Sequence, residues 1–297
     1  MTKGRGESAD KPVGPGRRGM LTGPLAASVV LGSDSLAGNR SGPDRDRLRL
    51  TFVEEFETLN FYDETTQKGR WRTQYGYGGV DSEASRCTAA GLACYVDSKF
   101  TDGRISPFSV QRSKEQGTFL EIKADHTPPD LADRCFHRPY TSGLLTTFGS
   151  FAQTYGYFEA SVQVPRGKGY FPAFWGIPQD LSWSAEFDIF ESLGEAHTTH
   201  LGVNFLPKGQ PPSVPVTIRA DLTGAFQTYG LWWEPEKVVW YVNDVECRRV
   251  PTPEGAHKPF FWLFDFAVGG DWAGTPTVDT AFPASLRVAW FKAYELK

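Results

Sequence analysis

The chain has 297 residues, with 31 Lys and Arg against 35 Asp and Glu, which gives a formal net charge of −4. This balance argues against a nucleic-acid-binding protein, because such proteins normally present a basic surface. No apolar run approaches the roughly 20 residues that a membrane-spanning helix needs. Aromatic residues make up 14% of the chain, a content that suits either a β-rich core or a surface on which sugar rings stack.

Residues 1–47 have the features of a leader that precedes the folded domain. Arg17 and Arg18 stand before a mildly apolar stretch, and a Ser-Leu-Ala triplet that ends at Ala37 fits a signal-peptidase site. The paired arginines are similar to a twin-arginine export signal. The alternative is a disordered leader rich in Gly, Pro and Ser. We therefore expect a secreted or periplasmic bacterial protein whose folded domain spans 48–297.

Short alternating apolar runs recur from Leu48 onward, among them FLEIKA, YGYFEASVQV, AEFDIFE and LRVAWFKAYEL. Gly, Pro, Asn and Asp separate these runs, a pattern typical of strands joined by turns. The chain has neither a sustained period of about 3.6 residues nor an internal repeat at a fixed spacing. The sequence therefore predicts an all-β protein with a single β-sandwich.

A long stretch at 73–113 is rich in Gly and Ser, with scattered Tyr and Phe. Loops of this length in compact domains are usually functional. This one either forms a wall of a sugar-binding cleft or is a surface excursion held by a disulfide.

Four cysteines occur in the chain: Cys87, Cys94, Cys135 and Cys247. None belongs to a C-x-x-C pair, so we expect no zinc site. An even number in an exported protein permits disulfides, most simply one between Cys87 and Cys94, and buried free thiols are the open alternative.

The stretch WSAEFDIFESLG carries three acids, Glu186, Asp188 and Glu191. In a regular strand the first two share one face, whereas Glu191 is one residue out of step. A β-bulge, which adds one residue to the strand, returns Glu191 to that face. Adjacent carboxylates repel, so the pKa of at least one should be raised, as glycoside hydrolysis requires. An exposed acidic strand and a calcium site are the alternatives, although Phe and Ile are unusual spacers between calcium ligands.

The segment EFDIFE resembles the Glu-x-Asp-x-x-Glu signature of glycoside hydrolase family 16, in its bulged, laminarinase-like form. Three further segments resemble the family in the same order: TYGYFEASVQVPRGKGYFPAFWGIP, FQTYGLWWEPEKVVWYVND and FFWLFDFAVGGDWAGTP. The earlier segments GRWRTQYGYG and CYVDSKF resemble the subgroup that trims bacterial exopolysaccharides. The resemblance implies a concanavalin A-like β-jelly-roll sandwich of two antiparallel sheets, with the substrate in a concave cleft.

The resemblance also implies a retaining mechanism and a role for each acid. Glu186 would be the nucleophile, and Glu191 the general acid that later acts as base. Asp188 would hydrogen-bond the nucleophile and help to keep the proton on Glu191.

Five further residues are candidates for substrate binding. Trp175 matches a family position that stacks a sugar, and Trp183 and Trp272 are expected to line the same cleft. Asn204 stands where many members of the family have His, and His200 lies close to it in sequence.

Two departures from the family concern other positions. The structural calcium that the family often binds is doubtful, because Glu55 is present but Ala289 stands where an Asp is expected. We therefore expect no metal site and no cofactor. Asp265 stands where Asn is commoner, with a consequence that the sequence does not reveal.

These features together predict a monomeric retaining endo-β-glycanase. Its substrate would be a β-1,3- or β-1,3-1,4-linked glucan or a related bacterial exopolysaccharide, with no nucleic-acid partner. Two alternatives remain: a non-catalytic, lectin-like sugar-binding protein on the same fold, and a transglycosylase.

Overall fold

The computed structural model of this protein describes residues 29–31, 42–204, 213–218 and 221–297. Most of the predicted leader lies outside these residues. No helix within the described ranges is long and apolar enough to cross a membrane.

Strands dominate the described part of the chain. The first nine are β1 (Val29–Leu31), β2 (Leu48–Glu54), β3 (Ala93–Tyr95), β4 (Phe108–Ser113), β5 (Gly117–His126), β6 (Tyr140–Ser142), β7 (Leu144–Thr146), β8 (Gly156–Gln163) and β9 (Tyr170–Pro178). The others are β10 (Glu186–Glu191), β11 (Thr198–Asn204), β12 (Ser213–Ile218), β13 (Gln227–Trp233), β14 (Lys237–Val242), β15 (Val245–Pro251), β16 (Phe260–Val268) and β17 (Ala284–Leu296). Within the described ranges, helical structure is limited to α1 (Glu83–Arg86) and the 3-10 turns Arg45–Arg47, Pro129–Leu131 and Glu254–Ala256.

The strands form two sheets. The first has seven strands in the order β1-β12-β11-β10-β9-β16-β7. The second follows the order β15-β14-β13-β8-β17-β5-β6-β3, with β2 added beside β17 and β4 beside β5. Pairing is antiparallel except between β1 and β12 and between β3 and β6, which are parallel. The predicted all-β sandwich is confirmed.

The main hydrophobic core lies between the two sheets. Phe187, Ile189 and Phe190 of β10 belong to one buried cluster with residues of the second sheet such as Leu231 and Trp240. Each large apolar side chain buried in this way contributes about 1.5–3 kcal/mol to stability.

A second buried cluster covers the outer face of the second sheet and includes Tyr157 and Trp232. The chain that precedes β2 packs on this side, since Arg45 pairs with Glu159 at 2.9 Å and Arg47 with Glu234 at 2.8 Å. Contacts with this outer face therefore begin a few residues before the predicted domain start at 48, and β1, which pairs with β12, lies earlier still. The outer face of the first sheet carries a third cluster, and the predicted acidic residues lie on that side.

The stretch 73–113 contains α1, β3 and β4, and it does not rely on a disulfide. All four cysteines are buried free thiols, and three of them, Cys87, Cys94 and Cys135, share one small apolar cluster. An ion pair of 2.9 Å between Arg86 and Asp97 ties α1 to the chain after β3. The structure therefore contains the free thiols that the sequence left open.

Candidate active site

A β-bulge interrupts β10 between Asp188 and Glu191. Across the antiparallel pair with β9, Asp188 lies opposite Trp175, whereas Glu191 lies opposite Ala173. Three residues of β10 therefore match two residues of β9. The pairing with β11 shifts in register at the same place.

The bulge places Asp188 and Glu191 on one face. Ala173 and Trp175 are two residues apart on β9 and share a face, so the residues opposite them share it too. Ile189 and Phe190, between the two acids, are both buried in the core between the sheets. The bulge predicted from the broken period is confirmed, and it brings Glu186, Asp188 and Glu191 onto the outer face of the first sheet.

Contacts from three other strands stabilise the bulge. A bulge leaves backbone groups without their usual ladder partners, and such buried groups need another hydrogen bond. The indole Nε1 of Trp240 in the opposite sheet donates to the Asp188 carbonyl oxygen at 2.9 Å. The Thr199 hydroxyl donates to the Glu191 carbonyl oxygen at 3.2 Å. The ring of Phe190 packs 4.6 Å from that of Tyr229, which fixes the extra residue in the core.

The three acids are shielded from solvent. Glu186 is 5% exposed, Asp188 0% and Glu191 3%. Strand β11 adds two of the predicted substrate-binding positions to their face, since His200 lies opposite Glu191 and Asn204 opposite Glu186. Burial, the largest influence, lowers the pKa of His200, so its imidazole is neutral at neutral pH. The side chain of Asn204 lies outside the described part.

Trp175 and Trp183 meet beside the acids, with ring centroids 6.0 Å apart. Trp175 is only 2% exposed, so in this structure its ring is covered rather than open for stacking. The cover comes from Trp183 and from Tyr75, whose ring lies 6.2 Å from that of Trp175. Tyr77 stacks on Tyr75 at 5.0 Å and meets Trp183 edge to face at 5.9 Å. The partly exposed rings of Tyr77 and Trp183 form the outer layer of this aromatic group.

Trp272 lies on the same outer face, on the side of β11. Its ring is partly exposed and contacts His200 edge to face at 4.7 Å and Phe171 at 5.2 Å. The five predicted substrate-binding positions thus flank the acidic strand on β9, on β11 and in the loops, and their roles stay predictions.

Asp265 on β16 is a buried member of this face that the sequence could not interpret. It is 4% exposed and lies opposite Ala173, so it stands in one row with Glu191 across β9. Its carboxylate accepts hydrogen bonds from the Trp175 indole at 2.7 Å and the Tyr95 hydroxyl at 2.6 Å. Tyr75, Tyr77 and Tyr95 were missed because no strand periodicity in the stretch 73–113 indicates which way its side chains point.

The calcium site suggested by the family resemblance does not fit the residues present. The Lys292 ammonium lies 3.8 Å from the Glu55 carboxylate, and Ala289 has no ligand atom in its side chain. In the described portion of the chain, no group of three or more His, Cys, Asp or Glu residues could hold a metal ion.

Comparison with known proteins identifies the family. The model described as Glycosyl hydrolases family 16 matches residues 102–291, which is more than half of the chain. The chain belongs to this family. Its match includes the acidic strand, the aromatic residues of β9 and Asp265.

Among curated proteins, the chain is similar to two from Rhizobium meliloti (strain 1021). It is 33% identical over 255 residues to the endo-1,3-1,4-beta-glycanase ExsH and 34% identical over 255 residues to the endo-1,3-1,4-beta-glycanase EglC. Each match covers 85% of this chain and 53% of the relative, so the chain spans about half the length of these proteins.

Among solved structures, the chain resembles the laminarinase catalytic domain from Thermotoga maritima MSB8. The TM-score is 0.68 at 23% identity, over 84% of this chain and 99% of that one. This likeness concerns the fold, and it confirms the expected β-jelly-roll sandwich.

Proposed function

We propose that this member of family 16 is a retaining endo-β-glycanase. Its substrate would be a β-1,3- or β-1,3-1,4-linked glucan or a related bacterial exopolysaccharide. The names of the two Rhizobium relatives, both endo-1,3-1,4-beta-glycanases, support this substrate class. Export of the protein, directed by residues 1–47, forms part of the same proposal.

The first chemical step forms a glycosyl-enzyme intermediate. The Glu186 carboxylate attacks the anomeric carbon, while the carboxylic acid of Glu191 gives its proton to the departing glycosidic oxygen. The bond from the anomeric carbon to that oxygen breaks, and one chain fragment leaves as an alcohol. Asp188 lies between the two in the face row, and its negative charge favours the protonated form of Glu191.

The second step releases the other fragment. Glu191, now ionised, takes a proton from a water molecule, and that water attacks the anomeric carbon and displaces Glu186. The two displacements attack the same carbon from opposite sides, so two inversions leave the β configuration retained. Neutral His200 beside Glu191 adds no positive charge that would favour ionisation of the Glu191 carboxyl group before the first step.

One observation carries the proposal, namely the register shift that places Glu191 opposite Ala173. Without the bulge, Glu191 would point into the core between the sheets, and a buried carboxylate there would have no substrate to protonate. The burial of all three acids supports the proposal further, because electrostatic interactions strengthen where water is excluded.

The test uses purified wild-type protein with laminarin, barley β-glucan and an acidic exopolysaccharide, followed by sizing of the products. We expect a rapid fall in chain length on at least one polymer. Glu186→Gln and Glu191→Gln should each reduce cleavage by about a thousandfold or more. The exposed Glu115 supplies the matched control, since Glu115→Gln should leave the rate unchanged.

The same assay separates the alternatives. Binding without any cleavage by the wild-type protein would favour a lectin-like role and would overturn the proposal. Products longer than the starting oligosaccharide would instead favour transfer of the glycosyl group to a sugar acceptor over transfer to water.

A further inference from the structure

Asp265 connects two parts of the binding face that are far apart in sequence. One carboxylate oxygen accepts the Trp175 indole hydrogen at 2.7 Å, and the other accepts the Tyr95 hydroxyl hydrogen at 2.6 Å. Trp175 belongs to β9 of the first sheet, whereas Tyr95 ends β3 in the stretch 73–113. All three side chains are almost completely buried.

The chemistry of these contacts favours an ionised Asp265. Both neighbours are donors, so the carboxylate accepts at both oxygens, and hydrogen bonds to a charged acceptor are stronger than those between neutral groups. Burial, followed by the charge of Asp265, raises the pKa of Tyr95 well above its usual range, so the phenol stays protonated and donates.

The position of Asp265 links these contacts to the proposed reaction. Asp265, Ala173 and Glu191 are aligned across neighbouring strands, so the backbones at Asp265 and Glu191 are about 10 Å apart. Trp175 lies opposite Asp188 and beneath the partly exposed ring of Trp183. A shift of the Trp175 indole would therefore displace the Trp183 ring on the surface beside the acids.

Tyr95 extends the same link to the outer aromatic layer. Its ring lies 5.7 Å from that of Tyr75, edge to face, and Tyr75 stacks on Tyr77 at 5.0 Å. Tyr77 also contacts Trp183. The positions of these two partly exposed rings therefore depend on both donors to Asp265, Trp175 and Tyr95.

We propose that Asp265 is a positioning residue that fixes Trp175 and Tyr95, and through them the Tyr77–Trp183 surface as a platform for a sugar ring of the polysaccharide. This proposal rests on the proposed function, because the platform lies beside the residues of that reaction. It assigns the stretch 73–113 to substrate binding, as one wall of the site. Asp265 itself acts through its neighbours rather than on the reacting bond.

The decisive variants change the acceptor at 265. Asp265→Leu removes both acceptor oxygens, and we expect KM for the polymer cleaved by the wild type to rise about tenfold to a hundredfold, with kcat changed by less than about threefold. Asp265→Asn should remain close to wild type, because its amide oxygen can accept from Trp175 while its NH2 group donates to the Tyr95 oxygen. Tyr95→Phe, which removes only the hydroxyl donor, should raise KM by about threefold.

Glu54 provides a matched control, because it also accepts an indole hydrogen, that of Trp71 at 3.1 Å, and is 7% exposed. Trp71 belongs to the core between the sheets rather than to the acidic face. Glu54→Leu should lower the melting temperature without changing KM. Hydrogen–deuterium exchange in 73–97 should accelerate in Asp265→Leu and stay unchanged in Glu54→Leu.

Three results would overturn this assignment. An Asp265→Leu enzyme with unchanged KM, or one in which kcat falls while KM does not, would show that Asp265 does not position the platform. If Asp265→Asn is as defective as Asp265→Leu, the charge rather than the acceptor geometry matters. If the wild-type protein cuts no polysaccharide, the proposed function itself is wrong. Faster hydrogen–deuterium exchange in Asp265→Leu would then mean that the contacts of Asp265 with Trp175 and Tyr95 are purely structural.

Discussion

Glu191 on β10 lies directly opposite Ala173 on β9. Asp188 precedes Glu191 by three residues, yet it lies opposite Trp175, which is only two residues from Ala173. This mismatch of one residue returns the third acid to the face of the other two. Its cost is a set of backbone groups that the sheet ladder cannot pair, and side chains outside β10 bind two of the carbonyl groups at the ends of the bulge.

Trp240 should therefore support activity without touching the substrate. Trp240→Phe preserves most of the packing but removes the indole donor to the Asp188 carbonyl oxygen, and leaving that buried group unpaired should cost about 1–3 kcal/mol of stability. We expect kcat to fall while KM changes little, because the bulge aims the catalytic carboxylates. Urea denaturation and steady-state kinetics on the two proteins measure both effects. Loss of stability with unchanged kcat would mean that the bulge holds its shape without this bond.

Asp97 should make the stability of the 73–113 wall depend on pH. Burial acts to raise the pKa of Asp97, but the charge of Arg86 and hydrogen bonds from Thr73 and from the Phe100 backbone lower it below its usual range. Because the folded-state pKa is depressed, the contribution is present above the unfolded pKa of about 4 and is lost as the pH falls through the folded pKa.

The variant Asp97→Asn should consequently be less stable than wild type by about 1–3 kcal/mol at pH 7, since the buried guanidinium of Arg86 loses one of its two ionic partners and keeps only Asp81. The difference should begin to shrink as the pH falls below about 4, the pKa of Asp97 in the unfolded chain, and should keep shrinking until the pH passes the lower folded-state pKa. Thermal melts of both proteins from pH 3 to pH 8 provide the comparison. A gap that stays constant across this range would contradict the account.

Trp183 adopts a backbone conformation that is unfavourable for a bulky residue, with φ of 50°. Trp183→Gly removes the indole but relieves this strain, whereas Trp183→Ala removes the indole and keeps the strain. We expect the Gly variant to be more stable than the Ala variant by about 1 kcal/mol, the reverse of the usual order. Both should raise KM, because the contact between Trp183 and Tyr77 is lost. If the Ala variant is the more stable of the two, the backbone at residue 183 is not strained in solution.

Sequence periodicity was sufficient where neighbouring residues decide the structure. The alternation of Phe187, Ile189 and Phe190 with the acids predicted both a strand and its bulge, because every side chain that follows a bulge changes face. The apolar runs after Leu48 predicted the sandwich for the same reason.

Periodicity could not reveal contacts between distant segments. Nothing near Trp175 in sequence indicates that Tyr75 would cover it, and nothing near Asp265 indicates that Tyr95 would donate to it. The spacing of the cysteines likewise could not predict that three of them cluster in the fold as free thiols. Val29–Leu31, inside the predicted leader, pairs with β12, and so short an apolar run is not distinctive in sequence.

The central claim, that Glu186 and Glu191 act from one face in a double displacement, is tested most directly by the stereochemistry of the first product. Proton NMR can follow the anomeric signal of the new reducing end during the first minutes of β-glucan hydrolysis, before mutarotation mixes the anomers. We predict that the β-anomer forms first and that the α-anomer grows in only later. Initial release of the α-anomer would mean a single displacement by water and would contradict the assignment of Glu186 as nucleophile.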